Sequence, residues 1–445
     1  MRRGVWILYV FIVGLALHNF VAAELYDAGL RGTALDVVSA WKEALLALGL
    51  VLVWLNGGLR IRLALVDWLA LAYGAVVVVY GLIPQHVLGG GATHHGVLLG
   101  VRHDLLPVAA YFFGRGLDLT GQDVKRLGAT VIASASAVAA FGLIDIYAIP
   151  LSWWRSSGAP GWFSNQLGFG YSGLSGLPEN FVYNTGNEHP LRRLVSTFLS
   201  PLASSYMLVT ALLLCAAWFV RYRPRFVIWI PTTALLFAGL LWTHSRSSEI
   251  ALAVGLVVFA VLRPGARGVV LVAAAVVVVV GVVFVKAYPH IAPSTRFTAS
   301  ELAYQRKHAH SGQGGPAVSA GGFEDASTTS HLRNLRDGIS TVLHHVQGFG
   351  PGNAGSTAAR TGVQIKAGES TYTELGVDAG LIGGLLFVAW SLTLLWRLIR
   401  CRAAWLAAAM VAMLALALQT DIIGVPWVVY VLWPLAGWRM SHPDS

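Results

Sequence analysis

Charge is scarce in this 445-residue chain: Asp, Glu, Lys and Arg make up 12% of it, while 56% is hydrophobic. With a mean hydropathy of +0.64, the chain carries more apolar surface than one water-soluble core of this size buries, which excludes an ordinary soluble globule. Cysteine is nearly missing. Cys215 sits inside an apolar run and Cys401 in a basic turn, so their spacing suggests neither a disulfide framework nor a zinc site. A Walker-type loop and a G-x-S-x-G elbow are also missing, which argues against an ATP-driven pump and a serine hydrolase. The histidines gather as His94/His95/His103, His308/His310 and His344/His345, without the i, i+4 pairing and carboxylate of a zinc-protease helix. No metal and no cofactor is therefore expected. No internal repeat is evident, so an inverted-repeat transporter gains no support.

What is present is a series of apolar runs near the length that crosses about 30 Å of hydrocarbon. They lie at about 5–23, 37–55, 63–83, 103–116, 127–147, 198–220, 226–242, 246–262, 268–287, 371–396, 403–420 and 422–438. The expectation is an all-α polytopic membrane protein of about twelve transmembrane helices. The run 103–116 is short and is expected to be tilted or partly re-entrant. The net charge of +10 would raise the question of nucleic acid in a soluble protein. Here many of the basic residues occupy short turns: Arg2/Arg3, Arg60/Arg62, Arg115/Lys125/Arg126, Arg221/Arg223/Arg225, Arg263/Arg267, Arg397/Arg400/Arg402 and Arg439. These turns alternate to one side, so the positive-inside rule puts both termini in the cytoplasm. Lipid, not nucleic acid, is the expected partner of this charge. The first run reads as an uncleaved signal anchor, although Val21-Ala22-Ala23 could serve as a cleavage site.

The chain divides into N-terminal helices (1–147), an outer loop (148–195), helices bearing arginine motifs (196–287), a large outer loop with a surface helix (288–370) and C-terminal helices (371–445). The first loop is rich in Trp and Asn (Trp153, Trp154, Trp162, Asn165, Asn180, Asn184, Asn187), which suits either interfacial anchoring or a sugar-contacting surface. The second holds a Gly/Ser/His stretch, 311–322, and then a helix signal from Ser327 to Val346. There Leu332, Leu335, Ile339, Val342, Leu343 and Val346 share one face, and Arg333, Arg336, Asp337, Ser340 and His344 the other. Such a helix is expected to lie on the outer membrane surface with its basic face toward a cavity.

Four features on the expected outer side carry possible chemistry. Arg193 stands at the mouth of the sixth run, where it serves either a ligand or as a helix-end snorkeller. Arg246 and Glu249, in Trp242-Thr243-His244-Ser245-Arg246-Ser247-Ser248-Glu249, are costly at membrane depth and read either as functional or as a structural pair. Arg333 and Arg336 lead into Gly348-Phe349-Gly350-Pro351-Gly352-Asn353, a run that does not match a nucleotide-binding fingerprint. Glu369 precedes a helix start capped by Ser370 or Thr371, followed by Tyr372 and Asp378; dipole stabilisation alone explains a carboxylate there. Together, several guanidinium forks and a carboxylate suit binding a diphosphate and activating a hydroxyl. That chemistry is glycosyl transfer from a lipid diphosphate.

At these same residues the sequence resembles the O-antigen ligase and O-antigen polymerase superfamily of bacterial cell-surface polysaccharide assembly, over roughly residues 190 to 390. Arg193 before Pro201, Thr243-His244-Ser245-Arg246, Arg333 or Arg336 before Gly348-Phe349-Gly350-Pro351-Gly352, and Glu369-Ser370-x-Tyr372 leading to Asp378-Ala379-Gly380-Leu381-Ile382-Gly383 follow the family's order. Ligases that attach polysaccharide to lipid A core carry His where this chain has Glu369, so the resemblance favours polymerase-like members. It implies a metal-independent C-type glycosyltransferase of the bacterial inner membrane, acting on its extracytoplasmic side. Its donor and acceptor would be undecaprenyl-diphosphate-linked glycans, and a chain-length regulator is a candidate partner. On that reading Arg193, Arg246 and Arg333 or Arg336 bind phosphate, Tyr372 contacts substrate, Glu369 is the base, and Glu249 and Asp378 are structural or orienting. The alternatives are a ligase with a lipid or protein acceptor and an exporter of lipid-linked sugars.

Overall fold

The computed structural model describes residues 4–55, 63–185, 188–308 and 326–442. Arg2/Arg3, Arg60/Arg62, Asn187, His310 and the stretch 311–322 lie outside them. Among the described residues, sheet is limited to a hairpin pairing Val182–Tyr183 with Leu191–Arg192 and a bridge from Leu191 to Ser294. The rest of the regular structure is helical. Seven helices are long and apolar enough to cross a membrane: Val5–Asp27, Leu65–Leu82, His94–Arg115, Gly121–Ala148, Pro201–Tyr222, Pro264–Ile291 and Gly380–Arg400. Phe226–Trp242 and Ala404–Leu416 are apolar but shorter, as are Trp41–Leu55, Arg246–Leu262 and Pro426–Ser441. The chain is an all-α, multi-pass membrane protein.

Three expected runs differ in the structure. The short fourth run is part of a 22-residue helix, His94–Arg115, which starts where Thr93 accepts a hydrogen bond from the Gly96 amide. Its N-terminal half carries His94, His95, Arg102, His103 and Asp104, which hid it from an apolar pattern. The run 371–396 is two helices, Thr371–Asp378 and Gly380–Arg400, parted where Gly380 takes φ +68°. Ahead of Trp41–Leu55 a separate short helix, Thr33–Ser39, ends at Ala40.

The chain packs as two compact units. The first comprises Met1–Phe11, Lys42–Leu127 and His331–Ser445. Here Pro426–Ser441 lies buried along almost its whole length against His94–Arg115. Glycines permit the contact: a Cβ on Gly114 would sit 2.0 Å from the Pro434 carbonyl oxygen, and one on Gly437 2.2 Å from that of Tyr111. Such close helix approach supplies the van der Waals packing that lipid does not. At the end of the crossing Arg115 grips Asp67 with two bonds of 2.8 and 2.9 Å. Tyr111 donates to the same carboxylate at 2.7 Å, and Arg115 also donates to Ser441 at 2.8 Å. One buried carboxylate thereby ties three helices.

The second unit comprises Ile12–Trp41 and Gly128–Ser330. A cluster of Trp154, Trp162, Leu174, Leu177 and Phe181 forms the core beneath its outer loop. Trp154 donates to Asp145 at 2.6 Å, and Asp145 in turn pairs with the buried Arg192 at 3.2 Å. Two of the loop's tryptophans are therefore packing residues and not a sugar platform, while Trp153 is 40% exposed. Glu301 receives both arms of Arg155, at 2.9 and 2.6 Å, and the Ser175 hydroxyl, so the start of the second long loop is fastened onto the first.

Removing a partner from a buried ion pair strands the other charge, at a cost of about 3–5 kcal/mol. Asp67→Ala should therefore lower the thermal unfolding midpoint of the detergent-solubilised protein sharply. The double variant Asp67→Leu/Arg115→Met should recover most of that loss; an equal loss in both would mean that packing, not charge, holds the crossing.

Candidate functional site

The residues singled out in the sequence fall into two clusters, one in each unit. In the second unit the segment before Pro201 is threaded through the interior. Ser196 donates to the Val138 carbonyl and Thr197 to that of Ala16, Asn19 donates to the Phe198 carbonyl, and Ser200 caps Pro201–Tyr222 by accepting from the Ala203 amide. This anchoring fixes Arg193 just upstream. Its guanidinium donates to the Thr243 carbonyl at 3.0 Å and the His244 carbonyl at 3.4 Å, so it closes the end of helix Phe226–Trp242.

The turn that Arg193 closes is tight. His244 takes φ +48°, a left-handed conformation that a side chain adopts only under constraint. Its ring is stacked on Tyr288 at 3.9 Å and met edge-on by Tyr183 at 4.6 Å. Arg246 opens the next helix close enough to Arg193 for the two cations to oppose each other. Glu249, one turn on, is attracted to Arg246 and keeps one carboxylate oxygen without a hydrogen-bond partner. Two half-buried guanidinium groups held near each other are a ready anion site.

In the first unit the carboxylate stands at the break before Thr371–Asp378. Glu369 takes φ +64°, again left-handed. Its downstream neighbours are pinned: Ser370 Oγ and the Thr371 amide both donate to the Ala417 carbonyl, and Thr371 Oγ1 donates to Thr420 and accepts from the Ile422 amide. Ser370 is the residue at the cap position but its hydroxyl is spent on Ala417, so no side chain caps this helix. The Glu369 side chain is 42% exposed and lies 2.6 Å from His331 Nδ1. Partial burial acts to raise its pKa, but hydrogen bonds from His331 and Asn334, with the His331 charge, outweigh it and hold the carboxyl below the usual range. Glu369 is ionised at neutral pH. Nothing in the sequence pattern had marked His331 or Asn334.

The helix Ala326–His344 explains the pairing. It packs on Thr371–Asp378 through Gly338 against Thr373 and Val342 against Gly376. At helical spacing His331 and Asn334 share that face. Arg333 and Arg336 fall on the far side and are exposed, so the structure does not bring either to Glu369. The apolar stripe is also largely uncovered, with Leu332, Ile339, Leu343 and Val346 between 46% and 60% exposed, as a helix lying on a membrane surface requires.

Tyr372 donates its hydroxyl to the Leu414 carbonyl at 2.9 Å. Asp378 is buried and accepts from the Asn353 amide at 3.2 Å, so what it holds is the end of the glycine run. The run itself is a packing device: Gly352 has φ +91°, and a Cβ there would meet the Gly96 carbonyl at 2.5 Å. Nearby His103 bridges two carboxylates, Asp104 at 2.8 Å and Asp421 at 2.9 Å, and Asp421 caps the Ile423 and Gly424 amides.

Residues 231–388 match the family model for O-antigen ligase. The match agrees with the O-antigen ligase and polymerase superfamily that the motifs resembled, and it covers about a third of the chain. Arg246, Glu249, Arg333, Arg336, Glu369, Tyr372 and Asp378 lie within the O-antigen ligase match, as does His331; Arg193 lies before it. No curated protein matches the sequence.

Removing the Asp378 carboxylate leaves the buried Asn353 amide unmatched, a cost of about 1–3 kcal/mol. Asp378→Ala should speed hydrogen exchange at 348–353 and lower the unfolding midpoint. Unchanged exchange there would show that the glycine run holds itself.

Proposed function

We propose that this chain is a membrane glycosyltransferase that polymerises polyprenyl-diphosphate-linked oligosaccharide repeat units on the extracytoplasmic face of the inner membrane. The O-antigen ligase match supports glycan transfer from a lipid-linked donor. The observation that carries the finer reading is Glu369: an ionised carboxylate, held in left-handed geometry, half-open to solvent, at the motif where the family has its base. Backbone strain at a pinned, exposed, charged residue is what a positioned reactive group looks like.

The proposed reaction is a single displacement. The acceptor hydroxyl attacks the anomeric carbon of the donor, the bond from that carbon to the diphosphate breaks, and its electron pair leaves with polyprenyl diphosphate. Arg193 and Arg246 bind the diphosphate and neutralise the charge that develops on it, which guanidinium forks do without a metal. The acceptor proton goes to the base centred on Glu369. A carboxylate-based centre favours a second lipid-linked repeat unit as acceptor, and the basic turns favour cytoplasmic termini. A lipid or protein acceptor, as in a ligase, is separated by the acceptor assay.

The test is purified protein in nanodiscs with polyprenyl-diphosphate oligosaccharide, without added metal, products resolved by mass spectrometry. A ladder of longer glycans on the lipid is expected. Transfer only to a different acceptor would establish the ligase instead, and sugar-lipid movement across vesicles without new bonds would make it an exporter. Glu369→Gln should cut turnover by about 10²- to 10⁴-fold. Arg246→Lys should lower it by more than about tenfold, because an ammonium does not reproduce the fork; an unaffected Arg246→Lys would leave Arg246 a structural residue.

A further inference from the structure

We infer that Glu369 and His331 act as a carboxylate–imidazole dyad, in which His331 is the group that takes the acceptor's proton and Glu369 is its positioning residue. The inference rests on the transfer reading above and names the atom that performs its proton step.

The geometry carries it. An ionised carboxylate only accepts hydrogen bonds, so His331 Nδ1 donates its proton across the 2.6 Å contact to Glu369 Oε2. When the ring is neutral, that bond places its remaining lone pair on Nε2, on the opposite side of the ring from the carboxylate. Both members are partly open, His331 at 37% and Glu369 at 42%, as groups that must meet a substrate have to be. The carboxylate is held by His331, with Asn334, one turn along the same face, also acting to lower its pKa, and the chain behind it is pinned at Ala417 and Thr420. A merely adventitious surface pair would need neither a left-handed backbone nor a second clamp.

The chemistry agrees. A carboxylate whose pKa is held below the usual range is a weak base at neutral pH, whereas imidazole is matched to it. In the step, the acceptor O–H proton passes to His331 Nε2 while the new glycosidic C–O bond forms and the electron pair of the old one leaves with the diphosphate. The resulting imidazolium is stabilised by the Glu369 charge and returns its proton to water. This follows the logic of a nucleophile–imidazole–carboxylate array with the acceptor hydroxyl in the first place.

The charged and titratable groups on the elements that meet here are Arg333, Arg336, Asp337 and His344 on the loop helix, Lys366 on the turn before Glu369, and Tyr372 and Glu374 on Thr371–Asp378. The largest influences on Glu369 beyond burial come from His331 and Asn334.

The experiment is the pH profile of kcat/KM in the nanodisc transfer assay for wild type, His331→Gln, Glu369→Gln and the double variant, with donor affinity measured separately. Wild type should show an acid limb, as the imidazole gains its proton. His331→Gln should lose that limb and about 10²- to 10⁴-fold in rate while still binding donor. Glu369→Gln should move the limb to lower pH as well as slow the reaction, and the double variant should be no slower than His331→Gln, because the two act as a unit. If His331→Gln loses donor binding, His331→Ala with added imidazole decides: rescue supports the dyad, and no rescue overturns it. His331→Gln with wild-type rate and profile beside an inactive Glu369→Gln would overturn the dyad and leave glycan transfer standing. Wild type that makes no glycosidic bond would overturn both.

Discussion

In hydrocarbon a helix that stops leaves carbonyls and amides with no water to satisfy them, so every break must be closed by the protein itself. This constraint organises the chemistry-bearing parts of the chain. The stop after Trp242 is closed by Arg193. The break at Ala379–Gly380 is closed by the Phe349 amide on Val377 and the Leu381 amide on Val346. The stop after Leu416 is closed by Ser370 and Thr371. Each closure brings in a segment distant in the sequence. Arg193 thereby comes to Arg246, and Glu369 is set at its helix entry.

The constraint also explains why arginines so alike in sequence differ in role. Arg192 and Arg193 are adjacent, yet Arg192 is buried on Asp145 and the Ile149 carbonyl, whereas its neighbour faces the turn at Thr243 and His244. Arg115 belongs by its position to one of the basic turns but is spent on Asp67. Position along the chain groups these arginines together; the alternation of the hairpin strand Leu191–Arg192 and the burial of Asp145 and Asp67 decide which of them are structural.

Much of the helical layout was legible because lipid-facing helices repeat a simple length and composition. The runs 226–242 and 246–262 match the observed helices residue for residue. What escaped were elements whose reason is tertiary: the polar half of His94–Arg115, and the Gly380 kink that lets Gly348 approach. Of the candidate site, the motifs singled out Arg193, Arg246 and Glu369, because charge beside apolar runs is conspicuous. His331 was not legible. It is one polar residue in a polar loop, and its meaning depends on Gly338 and Gly376, which let its helix settle onto Thr371–Asp378. Asp378 read as structural or orienting, and the structure gives it the Asn353 amide, a partner that spacing does not reveal.

The loop helix has two unlike neighbours. One face presses on Thr371–Asp378 and carries His331, while Leu332, Ile339, Leu343 and Val346 are left open. Because His331 and most of this open stripe ride on the same helix, whatever covers the stripe also sets how His331 is seated against Glu369.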